Sequence, residues 1–187
     1  MCHCTCMDFG KRTLSRSEIN NKNILEVGSY DSNGSLRSLV MQFVPSQYIG
    51  TDMNEGKGVD LVCRAEDVLE KFGKERFDVV ISTETLEHVE DWKKVISNIK
   101  NVCKPGGIIL ITTRSRGYQY HGYPYDYWRF ELEDIANIFS DCIIKKLEKD
   151  IMSPGVFIKV QKPYNNKFVE KDLADYTVYD MDYHLEI

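Results

Sequence analysis

The sequence predicts an α/β domain of the doubly wound kind, with a seven-stranded, mostly parallel sheet whose last strand runs antiparallel. Three observations predict it. Short apolar runs alternate with segments of helical periodicity, the links between them are short, and 187 residues suffice for one well-cored domain but not two.

The elements follow in order. Asn23–Gly28 (NILEVG) is an apolar run closed by glycine, the pattern of a buried parallel strand. The turn-rich 29–35 segment leads into a helix over Leu36–Val44, stopped by Pro45. Tyr48–Asp52 and Val59–Cys63 form two further strands, and Glu66–Phe72 a short helix closed by Gly73. Phe77–Thr83 is the next strand. Val89–Cys103 carries Val89, Trp92, Val95, Ile96, Ile99 and Val102 at helical spacing and ends before Pro105-Gly106. Gly107–Thr113 is the most apolar strand, Glu131–Phe139 a helix, and Cys142–Glu148 and Val156–Val160 the closing strands. Ser153-Pro154-Gly155 gives the tight turn that an antiparallel return needs. The chain divides into an N-terminal segment 1–22, a core 23–162 and a tail 163–187.

Composition excludes several functions. Hydrophobic residues make up 42% and charged residues 28%, and no run reaches the roughly 18 apolar residues of a spanning helix. The net charge is −5, against a large basic face for duplex nucleic acid. Without an apolar leader the expected compartment is the cytoplasm, with reduced cysteines. Cys63, Cys103 and Cys142 sit among apolar neighbours and read as buried thiols. Cys2, His3, Cys4 and Cys6 crowd the amino terminus, but C-x-C-x-C without a second pair is not zinc spacing. The expectation is a loose terminus and no metal. The tail holds six acidic and two basic residues along with four tyrosines, so it is expected to pack on the domain or on a second copy of it.

A parallel sheet of this kind binds ligands beyond the carboxyl ends of its strands. There stand Glu26 and Gly28-Ser29-Tyr30-Asp31 after the first strand, Asp52 after the second, and Arg64-Ala65-Glu66-Asp67 after the third. Asp52 is placed to accept hydrogen bonds from both hydroxyls of a ribose. A dinucleotide fold would carry G-x-G-x-x-G, but Tyr30 replaces its second glycine. Glu26 and Asp31 suit an ammonium and a sulfonium better than phosphate.

These segments, with FDVVISTETLEHVEDW and ISNIKNVCKPGGIILITTRS, resemble the class I S-adenosylmethionine-dependent methyltransferases, in particular the group known as methyltransferase type 11. The resemblance runs from Ile24 to Val160 and implies a Rossmann-like fold and S-adenosyl-L-methionine as cofactor. It implies that Glu26, Gly28 and Ser29 match the first cofactor motif, where Tyr30 departs from the usual second glycine but still faces the cofactor, and that Asp52 holds the ribose. Met53, Ala65 and Glu66 would then bind adenine, and Thr83 would lie near the methionine end. Arg64 stands where relatives carry Asp.

Seven of the 21 aromatic residues fall between Tyr118 and Phe130, after the fifth strand. The 114–130 segment therefore reads as an acceptor loop. Arg114, Tyr118, His121, Tyr123, Asp126, Trp128 and Arg129 are its expected substrate-binding residues, and its local basic charge suggests an anionic group on the acceptor. Tyr125, Tyr127 and Phe130 are expected mainly to pack. His88 and His121 are the candidate general bases, though His88 could instead order its loop. The expected function is methyl transfer to a small acceptor, such as a hydroxyl of a sugar or secondary metabolite. The alternatives are an NAD-dependent oxidoreductase, a non-catalytic cofactor-binding module, and an RNA or protein methyltransferase.

Overall fold

A computed structural model describes residues 4–122, 125–164 and 167–181. Its main sheet contains seven strands: β1 (Asn23–Val27), β2 (Gln47–Asp52), β3 (Leu61–Val62), β4 (Phe77–Thr83), β5 (Cys103–Arg114), β7 (Ile143–Lys149) and β8 (Gly155–Gln161). Their spatial order is β3-β2-β1-β4-β5-β8-β7. The first five pair in parallel, and β8 runs antiparallel between β5 and β7, as the sequence predicts. Strand order reverses between β1 and β4, which opens a crevice above their carboxyl ends.

Alternation along the strands sorts the core into two layers. Leu25, Val80, Ile109 and Ile111 face a layer with α4 (Val68–Phe72), α5 (Trp92–Val102) and α6 (Leu132–Ile138). Ile24, Val79, Ile81 and Leu110 face the other way. There they meet Cys6 and Phe9 of α1 (Cys4–Thr13), Ile19 of α2 (Arg16–Ile19) and Val40 of α3 (Arg37–Met41). Each of the fully buried Val, Leu, Ile and Phe side chains among them contributes about 1.5–3 kcal/mol of transfer free energy.

Helix α5 buries Val95, Ile96, Ile99 and Val102 along one face. Asp91 caps it by accepting the Lys94 amide at 3.0 Å. At its other end the buried Lys162 ammonium donates to the carbonyls of Lys100 and Cys103 at 2.8 and 2.9 Å, where the helix dipole favours a cation.

Two features depart from the sequence expectations. The amino terminus is not loose among the described residues, because α1 buries Cys6 and Phe9, and Phe9 packs on Phe157 with ring centroids 5.4 Å apart. Cys2 and His3 lie outside the described residues. Cys103 is buried as expected, whereas Cys63 and Cys142 are only partly so.

The tail crosses α5 and α6. Leu173 is buried in the core, and the Tyr176 hydroxyl donates to Asp134 at 3.0 Å. Its strand β9 (Tyr179–Asp180) then pairs antiparallel with β6 (Trp128–Arg129). No helix among the described residues is long and apolar enough to cross a membrane.

Candidate active site

A cleft of about 760 Å³ lies above the point where β1 and β4 diverge. Its size falls within the usual range of small-molecule sites. Gly28 has φ +78, and a Cβ there would run into the Thr85 hydroxyl, so only glycine lets β1 turn beneath the cleft.

One pole of the cleft is built from strand ends. Glu26 is 1% exposed and lines the cleft. It accepts from the Tyr48 hydroxyl at 2.7 Å and from Ser35 at 3.2 Å, and no salt bridge reaches it among the described residues. Burial pushes its carboxyl up to about 7, against the pull of those two hydroxyls and of Arg37. A buried carboxylate without a cation in contact fits a ligand that brings one, such as the ammonium of an amino-acid moiety.

Asp52 closes β2. Its Oδ1 accepts the Asn54 amide at 3.0 Å and its Oδ2 the Tyr30 amide at 3.4 Å, which fixes the carboxylate while leaving lone pairs on both oxygens. Tyr30 puts its ring against Gly56, where a side chain would collide with it. Ala65 and Glu66 lie in a 3₁₀ turn whose carbonyls both accept from Asn98 of α5, at 3.2 and 2.7 Å. Met53 lies half-exposed on the cleft wall. All nine expected cofactor residues therefore line one cleft: Glu26, Gly28, Ser29, Tyr30, Asp52, Met53, Ala65, Glu66 and Thr83. Asn98 and Tyr48 were not among them. Their signal is weak, since both occur inside regular elements and act through the residues they hold.

The other pole is formed by His88, Val89, Glu90, His121, Tyr125 and Tyr127. Glu84, just past β4, has φ +53. This left-handed residue bends the chain into the 3₁₀ turn Leu86–His88 and sends its own carboxylate toward Arg114. The His88 ring Nδ1 lies 2.6 Å from the Tyr125 carbonyl, so it donates there and holds the loop. His121 packs edge-on against His88, with ring centroids 4.7 Å apart. Its Nδ1 lies 2.8 Å from Asp126 Oδ2.

Burial alone would raise the Asp126 carboxyl. Hydrogen bonds from Arg129 and His121 outweigh it and hold the group well below the ordinary carboxylate range. An ionised Asp126 accepts only, so neutral His121 carries its proton on Nδ1 and presents the Nε2 lone pair. That Nε2 lies 4.0 Å from Glu87 Oε1, a fully buried oxygen without a hydrogen-bond partner among the described residues, while Thr113 donates to Oε2 at 2.9 Å. One atom each of Glu87, His88 and His121 lie within 4.8 Å of one another, a set that could also hold a cation.

Most of the expected acceptor residues are placed elsewhere. Arg114 is 1% exposed, paired with Glu84 and with Asp150 at 3.2 Å. Burial opposes its charge, and the neighbouring Glu84, Cys6 and Glu87 together more than restore it. Arg129 and Asp126 are fully buried and bonded to each other at 2.5 Å. Trp128 spends its indole N–H on the Val89 carbonyl at 2.8 Å, and Tyr118 lies over the Arg114 guanidinium at 4.3 Å. None of these five lines the cleft, and the physical reason is the same throughout: a charge or ring that finds an internal partner is withdrawn from solvent. The expected anionic acceptor loses its basis with them. Tyr123 lies outside the described residues. Phe130 packs as expected, edge-on to Trp92, but Tyr125 and Tyr127 line the cleft instead of merely packing.

A protein-family model described as a methyltransferase domain matches residues 3–147. The ubiquinone biosynthesis O-methyltransferase of Pseudomonas syringae pathovar tomato is 33% identical over 115 residues, 54% of this chain and 48% of that protein. The chain thus spans about half the length, or less, of the curated relatives it matches. Among solved structures, an S-adenosylmethionine-dependent methyltransferase from Mesorhizobium loti superposes with a TM-score of 0.64 at 14% identity. That match covers 83% of this chain and 96% of the other. The 1,6-didemethyltoxoflavin-N1-methyltransferase of Burkholderia thailandensis, solved with S-adenosylhomocysteine, gives 0.63 at 14% identity over 84% of this chain and 78% of its own. At these identities the two structures establish the fold, and the family match, over most of the chain, establishes the kinship. The chain belongs to the methyltransferase domain family, the S-adenosylmethionine-dependent enzymes of class I fold.

Proposed function

We propose that this chain transfers a methyl group from S-adenosylmethionine to a hydroxyl of an uncharged small molecule, with His121 as general base. The observation that carries this reading is His121 itself, a residue of the cleft wall whose Nδ1 is fixed by Asp126 and whose Nε2 is left to accept a proton.

When bound, the cofactor supplies an activated methyl group on a sulfonium. The chain's residues align it and manage the acceptor's proton. Glu26 takes the amino-acid ammonium, Asp52 the ribose hydroxyls, and Met53 with the 65–66 turn the adenine. The Tyr125 and Tyr127 rings, 5.5 Å apart, offer faces for a planar or sugar ring. The acceptor hydroxyl donates to His121 Nε2, and its proton passes to that nitrogen as the oxygen gains the methyl group. The resulting imidazolium sits between Asp126 and Glu87 Oε1, and both carboxylates stabilise it. Among the described residues His88 has only a carbonyl behind its ring, so it is the weaker candidate and acts by ordering the loop.

Charge selects an uncharged acceptor. Arg64 is the single lysine or arginine among the described lining residues, and it pairs with Glu66 at the cofactor pole at 3.4 Å. A carboxylate or phosphate on the acceptor would find no lysine or arginine among the described lining residues of its pole. The relatives named as O-methyltransferases support hydroxyl chemistry.

The test is transfer of labelled methyl to matched pairs of acceptors, neutral phenols or polyols against their carboxylated analogues. The neutral member is expected to be preferred by at least about tenfold, and preference for the anion refutes the acceptor class. A second use of the Glu87, His88 and His121 set is to hold a divalent cation that binds the acceptor oxygen. With His121 as base, turnover is expected to survive EDTA unchanged. Loss on chelation with recovery in magnesium would favour the cation.

Cofactor affinity is expected to depend on pH through Glu26. Below about 7 this carboxyl is protonated, and pairing with an ammonium must release that proton. Affinity for S-adenosylhomocysteine should fall by up to about tenfold per unit below pH 7 and level off above it. The ligand-free fold shows the opposite trend. A carboxyl raised from 4.5 to about 7 stabilises the protein at low pH and loses that contribution as pH climbs through 7. Calorimetric titration from pH 5.5 to 8 checks the first trend. A flat profile would remove Glu26 from the ammonium site.

A further inference from the structure

We propose that the tail, residues 167–181, is a strap that positions the acceptor pole, and that the Met181 amide is its terminal hold. This inference rests on the reading of that pole given above. Among the described residues no strap side chain lines the cleft.

The strap is anchored along its length. The Lys171 amide donates to Asp141 at 2.9 Å, Leu173 is buried in the core, and the Ala174 carbonyl accepts from Lys93 at 2.6 Å. Tyr176 sets its ring edge-on to Trp92, 6.4 Å between centroids. These contacts fix the path of the chain toward the acceptor loop. There Tyr179 and Asp180 pair with Arg129 and Trp128, and Arg116 lies over the Tyr179 ring at 4.7 Å.

The last contact is the informative one. The Met181 amide donates to the Tyr127 carbonyl at 2.6 Å, while the Tyr127 amide donates to the Glu87 carbonyl at 2.7 Å. Residue 127 is thus held from both sides, by the strap and by the turn that carries His88. Its ring lines the cleft, and the Asp126 that orients His121 immediately precedes it. A tail that merely covered apolar surface would need Leu173 and Tyr176. It would not need main-chain bonds to the loop that forms the acceptor pole. The strap therefore acts through Tyr127 and Asp126, as a positioning element rather than a catalytic one.

The test separates the backbone bond from the side chain. Met181→Pro removes the amide donor, and Met181→Ala keeps it. A chain stopped after Val178 is the second variant, since it keeps Leu173, Tyr176 and Val178. For Met181→Pro and the shortened chain, S-adenosylhomocysteine affinity is expected to stay within about twofold of the parent. Their kcat/KM for the acceptor should fall about tenfold or more, and the Tyr127 amide should exchange about tenfold faster. Met181→Ala should match the parent in all three. Parental exchange and kcat/KM in both Met181→Pro and the shortened chain would overturn the proposal, as would Met181→Ala behaving like Met181→Pro. If the parent transfers methyl to no hydroxyl, the functional reading fails separately, and amide exchange at Tyr127 alone decides the strap.

Discussion

His121→Ala is expected to lower kcat by about 10²–10⁴-fold, the usual range for a positioned general base. Affinity for S-adenosylhomocysteine should remain within about twofold, because His121 stands at the opposite pole from Glu26 and Asp52. The side chain is only partly buried, so its removal leaves a small cavity and a modest change in melting temperature. Asp126 keeps its bidentate Arg129 partner in the variant, so the buried carboxylate is not orphaned. Added imidazole should restore part of the lost rate by occupying the vacated space and taking the same proton. Single-turnover measurement with labelled cofactor distinguishes this loss from slow product release. A kcat within about threefold of the parent would show that alignment alone suffices for this acceptor.

Asp52→Ala is expected to weaken cofactor binding by about two orders of magnitude or more. Each hydrogen bond to a charged acceptor contributes about 1.5–3 kcal/mol, and in the proposed reading Asp52 accepts two from a ribose. The loss should appear in the affinity for S-adenosylhomocysteine and in the KM for the cofactor, with kcat at saturation much less affected. Asp52→Asn keeps the shape and one acceptor oxygen, so it should fall between the two, about tenfold weaker than the parent. Asp52 also receives the amides of Tyr30 and Asn54, and a small part of the alanine effect will come from loosening those turns. Calorimetry on the three proteins measures it. Affinities within threefold of one another would remove Asp52 from the ribose site.

The two poles differ in how far the sequence reveals them. Glu26, Gly28, Asp52 and Thr83 are legible because each sits at or just beyond the end of an apolar run, and strand ends in a parallel sheet point to the crevice. The acceptor pole is not legible in that way. Arg114 and Arg129 look available in the sequence, and only the fold shows Glu84, Asp150 and Asp126 waiting for them. Whether a charge faces a ligand or a buried partner depends on residues far away in the chain. Helix α1 is hidden for another reason. CTCMDFGKRT lacks a long apolar stripe, and its burial of Cys6 and Phe9 depends on a sheet face already in place. Strands β6 and β9 have two residues each, too short for any alternation to register.

The pairing of β6 with β9 also has a consequence in time. Every strand end of the cofactor pole lies within the first 83 residues, whereas the partner of Trp128–Arg129 arrives only with Tyr179 and Asp180. At about 5–20 residues per second, a ribosome needs several seconds to pass from one partner to the other. Throughout that interval the acceptor loop exists without its second strand. The loop of Trp128–Arg129 therefore gains its second strand only after every strand of the main sheet, the last of which ends at Gln161, has been made.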